Sequence, residues 1–217
     1  MLSFTEENYL KTIYHLSDNG LKSVMTNEIA EMMETKPASV TDMIKRLAAK
    51  SLITYEKYYG VNVTKNGKSE ALSIIRKHRL WETFLVAKLG FSWDEVHDVA
   101  EQLEHIQSPL LIEKLDEFLG FPSSDPHGHP IPDKHGKFHI ARQILLAEST
   151  GKKASACAVK NSTPAFLQYL SKIGIYIGAS VQVLEKIEFD GSLEILVDGK
   201  KKVYISREAS ENILVTE

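Results

Sequence analysis

The chain has 217 residues, of which 43% are hydrophobic, and a formal net charge of -3 at pH 7. This length predicts two or three small domains, and the charge excludes bulk attraction to nucleic acid, so any DNA binding must come from a local basic face. The single cysteine, Cys157, excludes an internal disulfide framework, and no apolar run approaches the roughly 20 residues that span a bilayer. We therefore expect a cytoplasmic protein with no membrane association, because the N-terminal residues also lack the pattern of a secretion signal.

The first 65 residues alternate helix signals with turn signals. Thr26 is the expected N-cap of the second helix, and Pro37 suits the first turn of the third. Two short alternating runs, "LITYE" and "VNVT", follow and predict a β-hairpin. Three helices and a hairpin predict a winged helix-turn-helix DNA-binding domain over residues 1–65. The helical segments are "TEENYLKTIYHL", "TNEIAEMMET" and "KPASVTDMIKRLAAKS".

The third predicted helix has two distinct faces. At about 100° per residue, an apolar stripe of Val40, Met43, Ile44 and Leu47 faces a core. The side chains on the opposite face are small near the N-terminus of the helix and basic further on. This pattern is typical of a helix that enters a major groove and places its cations near phosphates. A small helical domain with a solvated polar face would show the same pattern. The residues expected to contact DNA are Thr26, Pro37, Ala38, Ser39, Thr41, Lys45 and Arg46.

The rest of the chain predicts two further domains. Helical patterns and the turn-rich linker "PSSDPHGHPIPDKHG" indicate a helical domain with linker over residues 66–136. Short strand patterns around the helix "TPAFLQYLSKIG" predict a small β-barrel over residues 145–217. The expected fold class is mainly α with a small β domain. The three predicted helices of the middle domain are "GKSEALSIIRKHRLWETFLVAKLG", "SWDEVHDVAEQLEHI" and "SPLLIEKLDEFLG".

The stretch "VHDVAEQLEHI" gathers acidic and imidazole side chains on one predicted helix. As a helix it places His97, Glu101, Glu104 and His105 within one arc, opposite an apolar arc. No basic residue occurs between Trp93 and Ile106. Such groups repel one another unless a bound metal supplies positive charge, although a solvated amphipathic helix would show the same division.

A second predicted helix carries a matching pair. In "RKHRLWE", His78 and Glu82 are four residues apart and lie on one face. Two His/Glu helices in an antiparallel helical domain can form a metal site, and an oxygen-rich ligand set with imidazole and no thiolate suits Mn(II) or Fe(II) better than structural zinc. A turn in "DPHGHP" could add Asp125 and His127, whereas the nearby His129 is expected to be exposed.

Several motifs together resemble the diphtheria-toxin-repressor family, specifically its manganese-responsive regulators. The motifs are "ENYLKTIYHL", "RKHRLWETFL", "VHDVAEQLEH" and "DPHGHPIP", and "LQYLSKIGIYIGASVQVLE" resembles the SH3-like C-terminal domain of that family. The resemblance implies a homodimeric repressor that binds a double-stranded DNA operator when Mn(II) or Fe(II) is bound and that controls metal homeostasis genes.

The resemblance also implies two sets of metal ligands. Glu101 stands where iron-responsive members typically have cysteine, which favours manganese. The main ligands would be His78, Glu101, Glu104 and His105. An ancillary site would use Glu82, His97, Asp125 and His127.

The sequence departs from the family pattern at several positions. Asn8 stands where the first helix usually provides an aspartate or methionine ligand, and the adjacent Glu7 is expected to point elsewhere. Lys11 replaces a second acidic ligand that similar manganese regulators often carry. Ser162 and Ala165 stand where some iron-responsive members have acidic and amide ligands.

Two other functions fit parts of the pattern. A winged-helix regulator could sense a small organic ligand instead of a metal. A helical bundle with a carboxylate-histidine metal centre could also be an oxidase or hydrolase. Because no nucleophile or general-base constellation stands out, we do not expect an enzyme.

Overall fold

The computed structural model describes residues 2–139 and 142–217. The chain forms two compact units. Unit 1 comprises the chain up to His78 together with Glu101–Pro109 and Pro132–Phe138. Unit 2 comprises Arg79–Ala100, Leu110–Ile131 and the chain from His139 onward.

Unit 1 contains the predicted winged helix-turn-helix, and this prediction of fold is confirmed. The hairpin is antiparallel, with Ile53 opposite Val63 and Glu56 opposite Gly60. The elements are α1 (Phe4–Leu16), α2 (Thr26–Met32), α3 (Pro37–Ala49), β1 (Ile53–Glu56) and β2 (Gly60–Val63).

The first two helices begin with different caps. Ser3 caps α1 through a capping box, in which the Glu6 carboxylate accepts a hydrogen bond from the Ser3 N–H at 2.8 Å. The prediction that Thr26 caps α2 is wrong, since the cap residue is Met25. The Met25 N–H donates to the Glu28 carboxylate at 2.7 Å, so a carboxylate one turn into the helix satisfies this backbone donor.

The core of unit 1 holds α3 against α1, α2 and the hairpin. The α3 stripe of Val40, Met43, Ile44 and Leu47 is buried as predicted. Val24 and Val61 exchange backbone hydrogen bonds of 2.9 Å, which join the segment before α2 to the hairpin. Packing therefore fixes the orientation of α3 within unit 1.

Three further helices follow, and the second is shorter than predicted. They are α4 (Lys65–Leu89), α5 (Val96–Leu103) and α6 (Pro109–Phe118). Because α5 ends at Leu103, Glu104 and His105 lie in the following turn, and both are buried. The prediction that these side chains share one helical arc with His97 and Glu101 is therefore wrong. Helix propensity is a weak preference that tertiary contacts override.

The C-terminal part of unit 2 is one antiparallel sheet with strand order β3-β8-β4-β5-β6-β7. This small β domain confirms the predicted SH3-like fold. Strand β8 pairs with both β3 and β4 and was not predicted, although its buried Ile213 and Val215 alternate with more exposed residues. The elements are β3 (Ile144–Leu145), a 3-10 turn (Leu146–Glu148), β4 (Lys153–Val159), α7 (Pro164–Ile173), β5 (Ser180–Lys186), β6 (Leu193–Val197), β7 (Lys201–Ile205), α8 (Arg207–Glu211) and β8 (Ile213–Thr216).

None of the helices in the described ranges has the length and apolar character required to traverse a bilayer.

Candidate metal centre

A fully buried carboxylate, that of Glu104, lies at the centre of a charged cluster in unit 1. Its Oε2 atom is 2.6 Å from Nδ1 of His78, and Nζ of Lys11 donates to Oε1 at 2.7 Å and to Oε2 at 2.8 Å. Burial raises the pKa of this carboxyl, but the His78 hydrogen bond and the Lys11 charge outweigh burial and hold the pKa below its ordinary value. Glu104 is therefore an anion that the Lys11 ammonium and the His78 ring stabilise.

Lys11 also contacts the second acidic side chain of the cluster. Its Nζ donates to Oε1 of Glu101 at 3.0 Å, and only 12% of the Lys11 side chain is exposed. The chain itself therefore supplies a cation to these carboxylates, whereas the local sequence pattern indicated a bound metal as the source of positive charge. The cation comes from α1, about ninety residues away in sequence, so the local charge pattern could not reveal it.

Glu7 is counted with this cluster because it contacts the turn that carries Glu104, contrary to the expectation that it points elsewhere. Its Oε2 is 2.5 Å from Nδ1 of His105, and its Oε1 accepts from Nε2 of Gln107 at 2.5 Å. Nζ of Lys77 is 3.8 Å from the same Oε1. The four-residue spacing of Glu7 and Lys11 on α1 is the sequence signal that both face one site.

Asn8 contributes a buried oxygen with no hydrogen-bond partner, its Oδ1. Buried polar atoms are nearly always paired, so an unpaired oxygen beside Glu7 in sequence marks a place for a donor or a cation. The residues of this cluster fit a divalent metal, because their carboxylate, amide and imidazole groups are the ligands that Mn(II) and Fe(II) accept. Unit 1 thus holds all four expected main ligands, His78, Glu101, Glu104 and His105, and also Asn8, at the position where the family usually has a further ligand.

Unit 2 holds a second cluster, around the linker turn. Ligand atoms of Asp125, His127 and His129 all lie within 4.8 Å of one another. Oε2 of Glu82 is 3.7 Å from Nδ1 of His127, and Oε1 of Glu82 is 3.4 Å from Nδ1 of His97. All four expected ancillary residues therefore lie in unit 2. His129 is half-buried, not exposed as expected.

The pKa of His127 reflects this acidic environment. Burial lowers the pKa of the imidazole, but the interaction with the Glu82 carboxylate and the Asp125 charge raise it above the ordinary value. Nε2 of His127 also lies 2.7 Å from the backbone oxygen of Trp93, an acceptor that requires a proton on Nε2.

Backbone hydrogen bonds fix the geometry of the linker turn. Oδ1 of Asp125 accepts from the backbone N–H groups of His127 at 2.8 Å and His129 at 3.0 Å. Gly128 has a φ of 83°, and a Cβ added there would lie 2.0 Å from the Cys157 oxygen. Only glycine permits this approach to β4, so the turn that carries the histidines is held against the sheet. Oδ2 of Asp125 remains 3.6 Å from Nε of Arg79.

A cavity of about 540 Å³ lies beside this cluster within unit 2. It is lined by residues on both sides of His97 and by the segment that leads into α7, including Lys160 and Ser162. Trp93 Nε1 donates to Oγ of Ser171 at 3.0 Å across the rim of this region. Ser162 therefore faces the same cavity as His97, whereas Ala165 is not among the lining residues.

The outward face of α3 is accessible. Pro37, Ala38, Ser39, Lys45 and Arg46 are exposed, and Thr26 and Thr41 are half-buried. The Thr41 hydroxyl donates to the Pro37 carbonyl at 2.9 Å.

The hairpin tip carries exposed aromatic residues that no sequence motif had indicated. Tyr58 is 81% exposed and Tyr59 is 73% exposed, and Nζ of Lys57 lies 5.0 Å from the Tyr58 ring centroid. An aromatic and basic hairpin tip suits contact with a nucleic-acid backbone.

Three family profiles match successive parts of the chain. They are the iron dependent repressor, N-terminal DNA binding domain (residues 1–61), the iron dependent repressor, metal binding and dimerisation domain (residues 64–133), and the FeoA domain (residues 145–217). The diphtheria toxin repressor of Corynebacterium glutamicum is 34% identical over 211 residues, which cover 89% of this chain and 92% of that protein. The chain belongs to the diphtheria toxin repressor family. This confirms the family resemblance seen in the sequence.

Other members of the diphtheria toxin repressor family are also similar. The iron-dependent repressor IdeR of Mycobacterium leprae is 34% identical over 156 residues, and the match spans 72% of this chain but only 63% of that protein. A solved structure of a manganese-dependent transcriptional repressor in complex with manganese has a TM-score of 0.86 and 34% identity, covering 97% of this chain and 99% of that chain.

Replacing Glu7 by alanine tests the buried contacts of unit 1 without reference to any metal. Glu7→Ala leaves His105 and Lys77 buried without their carboxylate partner, so we expect the metal-free protein to lose about 3 kcal/mol of unfolding free energy in chemical denaturation. Asp42→Ala is the matched control, because its ion pair with Lys45 is exposed and should contribute little. Equal losses in the two variants would contradict the assigned role of Glu7.

Proposed function

We propose that this chain is a Mn(II)- or Fe(II)-dependent transcriptional repressor that binds a double-stranded DNA operator as a homodimer, and that it is not an enzyme. The observation that carries the proposal is the buried cluster of unit 1. It joins α1 of the DNA-binding domain to the turn after α5 through side chains that are all potential metal ligands or their direct partners. The family membership supports the same function.

The primary metal ligands we propose are Glu101, Glu104, His105, His78 and Asn8. These residues would hold a divalent ion whose positive charge would offset the carboxylates, and the unpaired Oδ1 of Asn8 would be available to it as a further oxygen ligand. Glu7 orients His105 through its hydrogen bond to Nδ1, in the manner of a carboxylate that fixes the ring of a metal-binding histidine. Glu101 in place of a thiolate favours manganese.

Helix α1 would couple metal binding to DNA binding. This helix packs against α2 and α3 and also supplies Glu7 and Lys11 to the cluster, and Asn8 follows Glu7 in sequence. Ligands on α1 and on the turn after α5 would hold the winged helix in one arrangement, so that two α3 helices of a dimer meet half-sites one or more turns of about 34–36 Å apart. Without that constraint, DNA binding itself would have to select this arrangement of the winged helices. That free-energy cost would lower the apparent affinity of the protein for DNA.

Glu82, His97, Asp125 and His127 form the ancillary site we propose in unit 2, and His129 is a further candidate ligand. The fit rests on buried Asp125 and His127 and on the Oδ2 atom of Asp125, which has ion-pair neighbours but no hydrogen bond. The hydrogen bond of His127 Nε2 to Trp93 would leave Nδ1 as the ligand atom.

The DNA contacts we propose come from α3 and its surroundings. Pro37, Ala38, Ser39 and Thr41 would meet base edges or thymine methyl groups in the major groove. Lys45 and Arg46, further along the exposed face, would contact phosphates, and Thr26 would contact the backbone at the start of α2.

Exposed apolar side chains of unit 2 support the homodimer. Leu110 is 66% exposed, Phe118 62% and Phe121 69%, all on or next to α6, and Leu89 at the end of α4 is 58% exposed. Clustered exposed apolar residues typically mark an interface. A repressor of this kind would act in the cytoplasm, where its operator DNA is.

The effect of removing single carboxylates on Mn(II) affinity should distinguish metal ligands from exposed acidic groups. We expect Glu101→Ala and Glu104→Gln to weaken Mn(II) binding at least about tenfold in competition with a chromophoric chelator. Glu113→Ala, on the exposed face of α6, should leave affinity unchanged. Wild-type affinity in both cluster variants would refute this ligand assignment and favour a regulator that senses an organic ligand.

The DNA face can be tested by salt dependence. We expect Lys45→Ala and Arg46→Ala each to weaken metal-activated operator binding and to reduce the slope of log affinity against log salt by about 1, because each removes one phosphate contact. Lys200→Ala, an exposed lysine in the turn between β6 and β7, is the control and should leave the slope unchanged. Unchanged slopes in both α3 variants would exclude these residues from the interface.

A further inference from the structure

Lys11 occupies the position between the two acidic side chains of the unit 1 cluster. Its Nζ lies 3.0 Å from Oε1 of Glu101 and within 2.8 Å of both carboxylate oxygens of Glu104. The lysine side chain is only 12% exposed, and Glu104 is fully buried. In this arrangement one largely buried ammonium group contacts two carboxylates, which distinguishes it from a surface ion pair.

The contact has a clear physical cause. A buried carboxylate without a compensating cation is strongly unfavourable, so the chain itself must supply positive charge when no other cation is present. Lys11 is the lysine that contacts Glu104 among the described ion pairs, whereas Lys77, equally buried, contacts Glu7 instead.

The same contact opposes any second cation. Both oxygens of Glu104 already accept hydrogen bonds from the ammonium, and Oε2 also contacts His78. A metal ion that takes Glu104 as a ligand must therefore compete with Lys11 for the lone pairs of this carboxylate. Two positive charges at such short distances from one carboxylate also repel each other.

We infer that Lys11 is an internal counter-cation that competes with the metal for Glu101 and Glu104 and so sets the metal concentration at which the site fills. This inference rests on the metal site proposed above. Lys11 has two opposite effects. It stabilises the link between α1 and the turn after α5 in the metal-free chain, and it weakens metal binding by the free energy of the contacts that the metal displaces.

Substitution of Lys11 separates these effects. We expect Lys11→Met to bind Mn(II) at least about tenfold more tightly than the wild type in competition with a chromophoric chelator, since the competitor and its repulsion are both removed. The thermal midpoint of the metal-free variant should fall, because Glu104 loses its cation. Lys11→Arg retains the charge and should remain within about threefold of the wild-type affinity.

Lys77→Met is the matched control. It removes a lysine of similar burial from the same cluster, but one that contacts Glu7 and neither Glu101 nor Glu104. Its metal-free midpoint should also fall, but its Mn(II) affinity should not rise tenfold. An equal rise in both lysine variants would show a general charge effect and overturn the specific role of Lys11.

The remaining outcomes distinguish this inference from the proposed function. If the wild type binds Mn(II) and Lys11→Met binds it no more tightly, Lys11 is not a competitor, while the metal site stands. If neither protein binds Mn(II), both the site and the inference are overturned. If Lys11→Met does not fold, Lys11→Gln replaces it, because glutamine keeps a hydrogen-bond donor without the charge. The same tenfold increase in Mn(II) affinity is then expected of Lys11→Gln.

Discussion

The burial of the Glu104 carboxylate is the constraint on which the rest of unit 1 depends. A charge in that position requires partners, and they come from two distant parts of the chain: Lys11 on α1 and His78 on α4. This requirement explains why α5 ends at Leu103 and why α1 is attached to residues outside its own domain. The Glu101 and Glu104 carboxylates lie where the DNA-binding helices meet the following segment, and they require positive charge. The same requirement would make this junction sensitive to a divalent ion.

The two charged clusters follow one principle with different scaffolds. In unit 1 the carboxylates lie on a helix and a turn, and the side chain of Lys11 contacts both of them. In unit 2 Asp125 lies in a turn that backbone hydrogen bonds and the close approach of Gly128 to β4 hold in place, and Arg79 is its cationic neighbour. The second cluster is thus fixed mainly by the backbone and the first mainly by side-chain contacts. A change in bound cation should therefore affect the first cluster more.

Local sequence patterns predicted much of the fold, but they did not predict all of the geometry of the unit 1 cluster. Apolar spacing in α3 and alternation in the hairpin predicted the winged helix, because those signals are local. The expected ligands of unit 1 and of unit 2 could be selected from residue type and family resemblance. Helical periodicity wrongly extended α5 over Glu104 and His105, since burial against Lys11, His78 and Glu7 decides the chain path there. The contacts of Lys11 and Glu7 with the turn after α5 span about ninety residues or more, and no local pattern reports contacts of that range.

Metal-dependent repression can be tested by measuring how the purified metal-free protein binds its own promoter DNA. The titration uses Mn(II), Fe(II) under anaerobic conditions, and Zn(II), with a metal-free arm. We expect binding to depend on added Mn(II) or Fe(II) and to be reversed by a chelator. Equal binding in the presence and absence of metal would contradict metal-dependent repression, and would leave the Glu101, Glu104 and His105 cluster with a purely structural role.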